Sequence, residues 1–206
     1  MTLRLVVATA NPDKAREIVE VLTASGLDVD LVERPTGVPE VVEDGETLLD
    51  NARLKARALR DATGCAAIAD DTGLEVDALG GAPGVFSARY AGPEATDAQN
   101  CAHLLAELAR VDATDRTARF VTSIVLALPD GSELEARGEV EGTIIGTPRG
   151  DGGFGYDPLF VPAGGDGATF AEMSAEAKHA ISHRGRALRA MAAAMCESLP
   201  DARTQE

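Results

Sequence analysis

The sequence predicts a mixed-sheet α/β fold. Short apolar runs rich in β-branched residues alternate with stretches of helical periodicity, and a hairpin signature, Pro129-Asp130-Gly131, sits in the second half. At 206 residues the chain suits one substantial domain and is short for two independent ones. Hydrophobic residues at 45% and charged residues at 26% mark a folded chain rather than a disordered or fibrous one.

Leu3–Ala8 reads as a first strand, and Ile18, Val19, Val21 and Leu22 follow at helical spacing after the polar segment Thr9-Ala10-Asn11-Pro12-Asp13. Val29–Val32 is a second strand, leading to a connection rich in turns at Pro35, Gly37 and Pro39. Leu48, Leu49, Ala52, Leu54, Ala56 and Leu59 lie on one face of a helix that ends at Gly64. Ala66–Ala69 is a buried strand, Asp70-Asp71-Thr72-Gly73 has turn chemistry, and Leu74–Leu79 alternates as a further strand. Thr96-Asp97-Ala98-Gln99 has the form of a capping box opening a helix to about Arg110. Phe120–Leu128 is the longest strand, returned by the turn through Glu133–Val140. Gly150–Pro158 is a loop. Two helices, Phe170–Lys178 and His183–Leu199, close the chain, with Ser182 placed to cap the second and a loose tail over about 200–206.

Nineteen Lys and Arg against 34 Asp and Glu give a net charge of −15, which repels nucleic-acid backbones and anionic membrane surfaces. A small polyanion remains possible as ligand, because a metal ion and a few cations reverse the field locally. The odd set Cys65, Cys101 and Cys196 lacks metal-ligand spacing and suits reduced thiols. With no run approaching a membrane span, a soluble, cytoplasmic protein is expected. Neither a serine nor a cysteine sits in a nucleophile motif.

Asn11 and Lys14 stand where the first strand hands over to the first helix, a place where free N–H groups and the helix dipole attract phosphate. A capped helix with a solvated lysine fits the same residues. The Walker-type G-x-x-x-x-G-K-[ST] pattern is missing there. Asp70 and Asp71, directly after an apolar strand, repel each other unless a cation compensates them, and Glu43 in an acidic stretch offers a further ligand; a polar turn is the alternative. Phe154 and Tyr156 are conspicuous in a glycine-rich loop of a chain with five Phe, two Tyr and no Trp. They suit either stacking on a flat ligand or plugging the core. Lys178, His183 and Arg184 gather cations at a helix junction, where solvated helix ends and a satisfied imidazole would look the same.

Taken together, Thr9-Ala10-Asn11-Pro12-Asp13-Lys14, Ala69-Asp70-Asp71-Thr72-Gly73, Gly80-Gly81-Ala82-Pro83-Gly84 with Ser87-Ala88-Arg89-Tyr90, Gly152–Pro158 and Ser182-His183-Arg184-Gly185 resemble the inosine triphosphate pyrophosphatase family, in order and over nearly the whole chain. The resemblance implies a single domain over 1–206, an elongated mixed sheet with two lobes around a cleft, usually a homodimer. It also implies Mg²⁺-dependent hydrolysis of non-standard purine nucleoside triphosphates (dITP, ITP, XTP), which cleanses the nucleotide pool. It puts Thr9, Asn11 and Lys14 on the triphosphate, Glu43 and Asp71 on Mg²⁺, and Thr72 on phosphate. Asp71 accepts the proton of the attacking water, with Asp70 beside it. Phe154, Gly155, Tyr156 and Asp157 line the base pocket, and Lys178, His183 and Arg184 hold base and phosphate. Water attacks the α-phosphorus, and pyrophosphate leaves with Lys14 and Mg²⁺ offsetting its charge. His183, Arg184 or backbone N–H groups near Phe154 are the donors expected to favour a six-carbonyl purine over adenine. The segment Gly80–Tyr90, with Val85 and Phe86, is the expected subunit contact. Asp50 stands where many relatives carry Glu and Tyr156 where some carry Trp, which bears on packing and pocket shape. Two other readings stay open: a pyrophosphatase for standard or pyrimidine triphosphates, and a nucleotide sensor without turnover.

Overall fold

The computed structural model of the chain describes residues 2–8, 12–32, 34, 35, 37, 38, 41–111, 115–199 and 202, with the backbone alone at 12–14, 16 and 17. Among them are six strands: β1 (Leu3–Val7), β2 (Val29–Val32), β3 (Ala66–Val76), β4 (Thr117–Ala127), β5 (Glu133–Ile144) and β6 (Phe160–Pro162). They hydrogen-bond in the order β2-β1-β3-β4-β5-β6. The sheet is mixed: β1 runs parallel to β2 and β3, with Leu5 opposite Leu31 and Ala66, and β5 runs antiparallel to β6, with Thr143 opposite Val161. The helices are α1 (Pro12–Ala24), α2 (Leu48–Thr63), α3 (Asp97–Arg110), α4 (Ala175–Ile181) and α5 (His183–Ser198).

Local chemistry sets the helix ends. Thr47 caps α2 by accepting the Asp50 N–H at 3.1 Å, and Gly64 closes it with a bond to the Arg60 carbonyl. At α3 the capping box forms as read, Thr96 N–H to Gln99 Oε1 at 2.8 Å and Gln99 N–H to Thr96 Oγ1 at 3.3 Å. Ser182 caps α5 through the Gly185 N–H at 3.1 Å.

Several boundaries differ from the expectation. Asp70-Asp71-Thr72-Gly73 is not a turn: β3 runs unbroken through it, because sheet pairing outweighs local turn propensity. The strand ends at Val76 rather than Leu79, where Asp77–Leu79 forms a short helical turn. Helix α4 starts at Ala175, not Phe170, since Ser174 accepts the Ala177 N–H while Phe170, 1% exposed, turns into the core. Strands β4 and β5 are longer than read, and β6 was hidden in a run of only three residues. In the region read as a loose tail, Ala202 is buried and its carbonyl accepts the Asp28 N–H at 2.8 Å; residues 200, 201 and 203–206 lie outside the described ones.

The chain divides into two compact units, one of residues 1–71, 122–138 and 186–206, the other of 72–121 and 139–185. In the first, Leu5, Val7, Ile68, Ile124 and Leu126 pack against Ile18 and Leu22 of α1 and Leu188, Met191 and Met195 of α5. Its other sheet face is lined by small residues, Ala69, Val125 and Ala127, which lets α2 approach through Ala52 and Ala56. In the second unit Leu74, Val76, Phe120, Val140 and Phe160 pack with Leu104 and Leu108 of α3. Phe120, Phe160 and Phe170 form an aromatic knot with centroids 4.8–5.9 Å apart.

Gly142 on β5 faces this knot, and a Cβ there would overlap the Val161 carbonyl and the Phe160 ring. Gly142→Ala is expected to destabilise by about 1–3 kcal/mol, the usual cost of overpacking. A lowered denaturant midpoint in chemical unfolding checks this; an unchanged midpoint refutes it.

Candidate functional site

The first unit gathers two carboxylates around one lysine. Asn51 and Lys55 are four apart on α2 and share a face. The Lys55 ammonium lies 3.0 Å from Glu43 Oε1 and 3.0 Å from Asp71 Oδ1. Asn51 Nδ2 donates to the other Asp71 oxygen at 3.2 Å, and Asn51 Oδ1 accepts the Gly45 N–H at 2.8 Å. Asn51 is thereby the brace of the group. One end holds the strand carboxylate, and the other ties down the loop that carries Glu43.

Burial pushes the Asp71 carboxyl above its ordinary range; Lys55 and the Asn51 bond pull it back, and the Glu43 charge pushes it further up. For Lys55, burial favours the neutral amine but is outweighed by Asp71 and Glu43, so the ammonium is held above its usual range. Two carboxylates converging on one cation are the hard-oxygen set that Mg²⁺ takes when phosphates and water complete its shell. Among the described residues no group of three or more His, Cys, Asp and Glu forms a closed metal cage. The residues therefore fit Mg²⁺ as a shared ion and not as one enclosed by protein.

Strand alternation separates the neighbours of Asp71. Ala66 and Ile68 before it, and Leu74 and Val76 after it, face the core that contains α1, α5 or α3, whereas Ala69 faces α2. That parity holds through the strand, so Asp70 and Thr72 lie on the opposite side of β3 from Asp71. The adjacent carboxylates do not form one jaw. Thr9 and Asn11, expected on phosphate, lie outside the described residues, as does the side chain of Lys14, whose backbone is in the first turn of α1.

The second unit carries the aromatic loop. Asp157, 2% exposed, accepts the Phe154 N–H at 2.8 Å and the Lys178 ammonium at 2.5 Å, both on Oδ2. Lys178 also stands 4.9 Å from the Phe154 ring centroid and 5.3 Å from that of Phe170. Gly153 is obligatory here, since a Cβ would collide with the Asp157 carboxylate. Phe154 itself is exposed, so it is not the core plug that the sequence left open. Tyr156 is buried instead, and its hydroxyl donates to the Ser87 carbonyl at 2.9 Å, which anchors the loop. His183 is buried and stacked on Phe120 at 4.9 Å with a 16° tilt; Arg184, next to it on α5, is half-buried. The N–H groups of Phe154 and Gly155 both donate to carboxylates, at 2.8 and 2.7 Å, so among the N–H groups near Phe154 these two are already engaged.

Sequence reasoning missed Asn51 and Lys55. A signal was present: the chain's lysines are Lys14, Lys55 and Lys178 alone, among 19 Lys and Arg. Such sparing use of the compact ammonium marks places where a point charge is needed.

Lys55→Met removes the ammonium that Glu43 and Asp71 share. Because the folded Asp71 pKa is raised, the native state prefers the protonated form there, and its contribution to stability falls as pH rises from the unfolded value near 3.9. The substitution removes an influence that lowers this pKa, so the loss extends upward in pH. With divalent ions chelated, a deficit of about 3 kcal/mol relative to the parent is expected at pH 7, narrowing toward pH 4. Urea unfolding at both pH values measures it, and a deficit equal at both would rule the assignment out.

Residues 5–194 match the model of the Ham1 family. A dITP/XTP pyrophosphatase of Streptomyces coelicolor is 48% identical over 198 residues, covering 95% of this chain and 98% of that one. A dITP/XTP pyrophosphatase of Syntrophobacter fumaroxidans is 53% identical over 89% of this chain and 78% of its own. Among solved structures, a HAM1 protein from Coxiella burnetii superposes with a TM-score of 0.89 at 40% identity, covering 95% of this chain and all of the other. A nucleoside-triphosphatase / dITP/XTP pyrophosphatase from Mycobacterium abscessus gives 0.78 at 48% identity, covering 92% and 97%. With residues 5–194 matching the family model, and relatives 48% and 53% identical over 95% and 89% of its length, the chain belongs to the Ham1 family.

Proposed function

We propose that the protein is a nucleoside triphosphate pyrophosphatase that converts dITP, ITP and XTP to the monophosphate and pyrophosphate. The observation that carries this reading is the Lys55 ammonium held 3.0 Å from each of two carboxylates, with burial raising the carboxyl of Asp71. The names of the relatives, dITP/XTP pyrophosphatases, favour non-standard purines over pyrimidine or standard triphosphates.

Glu43 and Asp71 would hold Mg²⁺, which supplies charge neutralisation on the triphosphate when bound. Asp71 takes a proton from water as the water oxygen bonds to the α-phosphorus, and the bond from that phosphorus to the bridging oxygen breaks to release pyrophosphate. Lys55 and Lys14 balance the charge that develops on the leaving group. Thr9, Asn11 and Thr72 contact phosphate. Asp70, on the other face of β3, acts in the water network and not as a second arm beside Asp71. Phe154 stacks on the base, Gly155, Tyr156 and Asp157 shape the loop beneath it, and Lys178, His183 and Arg184 present cationic and N–H donors. Donors suit a six-carbonyl purine; the amino group of adenine would leave them unpaired, at roughly 1–3 kcal/mol per group. A turnover-free sensor has no use for a poised carboxyl beside a lysine, so hydrolysis is the better reading.

The protein is further proposed to act as a homodimer through the segment 80–90, where Phe86 is 57% exposed beside half-buried Val85. Sedimentation at micromolar concentration is expected to give twice the 21.3 kDa chain mass; a monomer would refute it.

Hydrolysis in ¹⁸O-labelled water is expected to place the label in the monophosphate, with ITP and XTP turned over far more efficiently than ATP. Asp71→Asn should lower kcat by at least about 10²-fold, the usual loss with a general base. Label in pyrophosphate, stepwise release of orthophosphate, or near-normal turnover by Asp71→Asn each overturns the mechanism.

A further inference from the structure

An exposed aromatic ring has little packing to orient it, and Phe154 is 58% exposed. Beside the Lys178 ammonium 4.9 Å from its centroid, the backbone that carries the ring sets its direction. Two successive N–H groups are each held by a carboxylate: that of Phe154 by Asp157 at 2.8 Å, and that of Gly155 by Asp97 Oδ2 at 2.7 Å. The Gly155 carbonyl in turn accepts from Cys101 Sγ at 3.4 Å. Asp97 and Cys101 are four apart on α3 and so share a face. One helix face thus grips both peptide units flanking Gly155, a residue with φ of 59° that reverses the chain beside the ring.

The grip is itself rigidly mounted. Asp97 is in the first turn of α3, where the helix dipole favours a carboxylate and where the Thr96 side chain caps the helix by accepting the Gln99 backbone N–H at 3.3 Å. Burial, with the Asp97 and Asp157 charges, pushes the Cys101 thiol up to about 11, so it stays protonated and a donor at neutral pH. In the sequence, Asp97 reads as part of a helix cap and Cys101 as one of three reduced thiols.

We propose that Asp97 and Cys101 are positioning residues for base recognition, which fix the peptide units on either side of Gly155 and thereby the platform that the Phe154 ring offers to the purine. The inference rests on the reading of Phe154 as the base platform. It adds residues that touch no substrate yet set affinity for it.

Steady-state hydrolysis of ITP by the full chain tests it. Asp97→Ala is expected to raise KM about tenfold, the consequence of losing a charge-assisted hydrogen bond, with kcat changed less than about twofold. Asp97→Asn, which keeps an acceptor oxygen, should restore most of the affinity, and Cys101→Ala should raise KM about threefold. Gln99→Ala breaks the capping box of the same helix without touching Gly155, so it should lower Tm and leave KM unchanged. A KM for Asp97→Ala within twofold of the parent, or an equal rise in Gln99→Ala, overturns the proposal. If the parent does not hydrolyse ITP, the functional reading fails by itself, and amide hydrogen exchange at Gly155 still decides whether Asp97 pins the loop. Faster exchange in Asp97→Ala supports the pin, and unchanged exchange removes it.

Discussion

A chain with a net charge of −15 that brings two carboxylates to one place must supply a cation there, and the Lys55 ammonium does so at 3.0 Å from both. Much of the first unit follows from that requirement. Lys55 reaches Asp71 only because α2 lies close over β3, and it lies close because the facing residues Ala52, Ala56, Ala69 and Ala127 are small. Asn51, one turn earlier on the same helix face, completes the hydrogen bonding of Asp71 and brings in the loop of Glu43 through Gly45. Removing any one of these leaves a buried charge or a polar group short of a partner, the costly arrangement in a low-dielectric interior.

The second unit solves a different problem with few aromatic residues. Phe120, Phe160 and Phe170 are committed to its core, and His183 stacks on the first of them. Phe154 is the one phenylalanine of the 152–157 loop, and it is left outside. Its ring is bordered by Lys178, which Asp157 holds from beneath. A buried carboxylate that accepts both a backbone N–H and an ammonium compensates the lysine and shapes the loop at once. The two units therefore carry different chemistry: two carboxylates around an ammonium in the first, an exposed aromatic ring beside a lysine in the second.

How much of this was legible depends on the range of the interaction that decides each feature. Helix starts at Thr47, Thr96 and Ser182 are set by side chains within three residues of the N–H groups they accept, and the capping pattern at Thr96 was readable as such. Asp70-Asp71-Thr72-Gly73 reads locally as a turn, yet β3 passes through it because neighbouring strands supply partners that no window of sequence shows. The same extension sends Asp70 and Asp71 to opposite faces, a consequence that follows from strand geometry once the strand is known. Phe170 and Ser174 show the reverse. A run with helical composition starts late because its first aromatic is needed in the core and a serine further on offers the cap.

Lys55 lay outside every motif because its role is defined by what folds against it. On the helix it is an ordinary polar position between Leu54 and Ala56, and only the closeness of Glu43 and Asp71 makes it a partner. An ammonium placed between two carboxylates offsets their mutual repulsion, and it pulls the Asp71 carboxyl down against the burial that raises it. It does so without closing the oxygen set, because lysine is a flexible point charge whose stem can swing aside. A planar guanidinium would lock the same carboxylates in a bidentate grip. The choice of lysine in a chain that otherwise relies on arginine thus holds the two carboxylates through a single point charge and not through a planar fork.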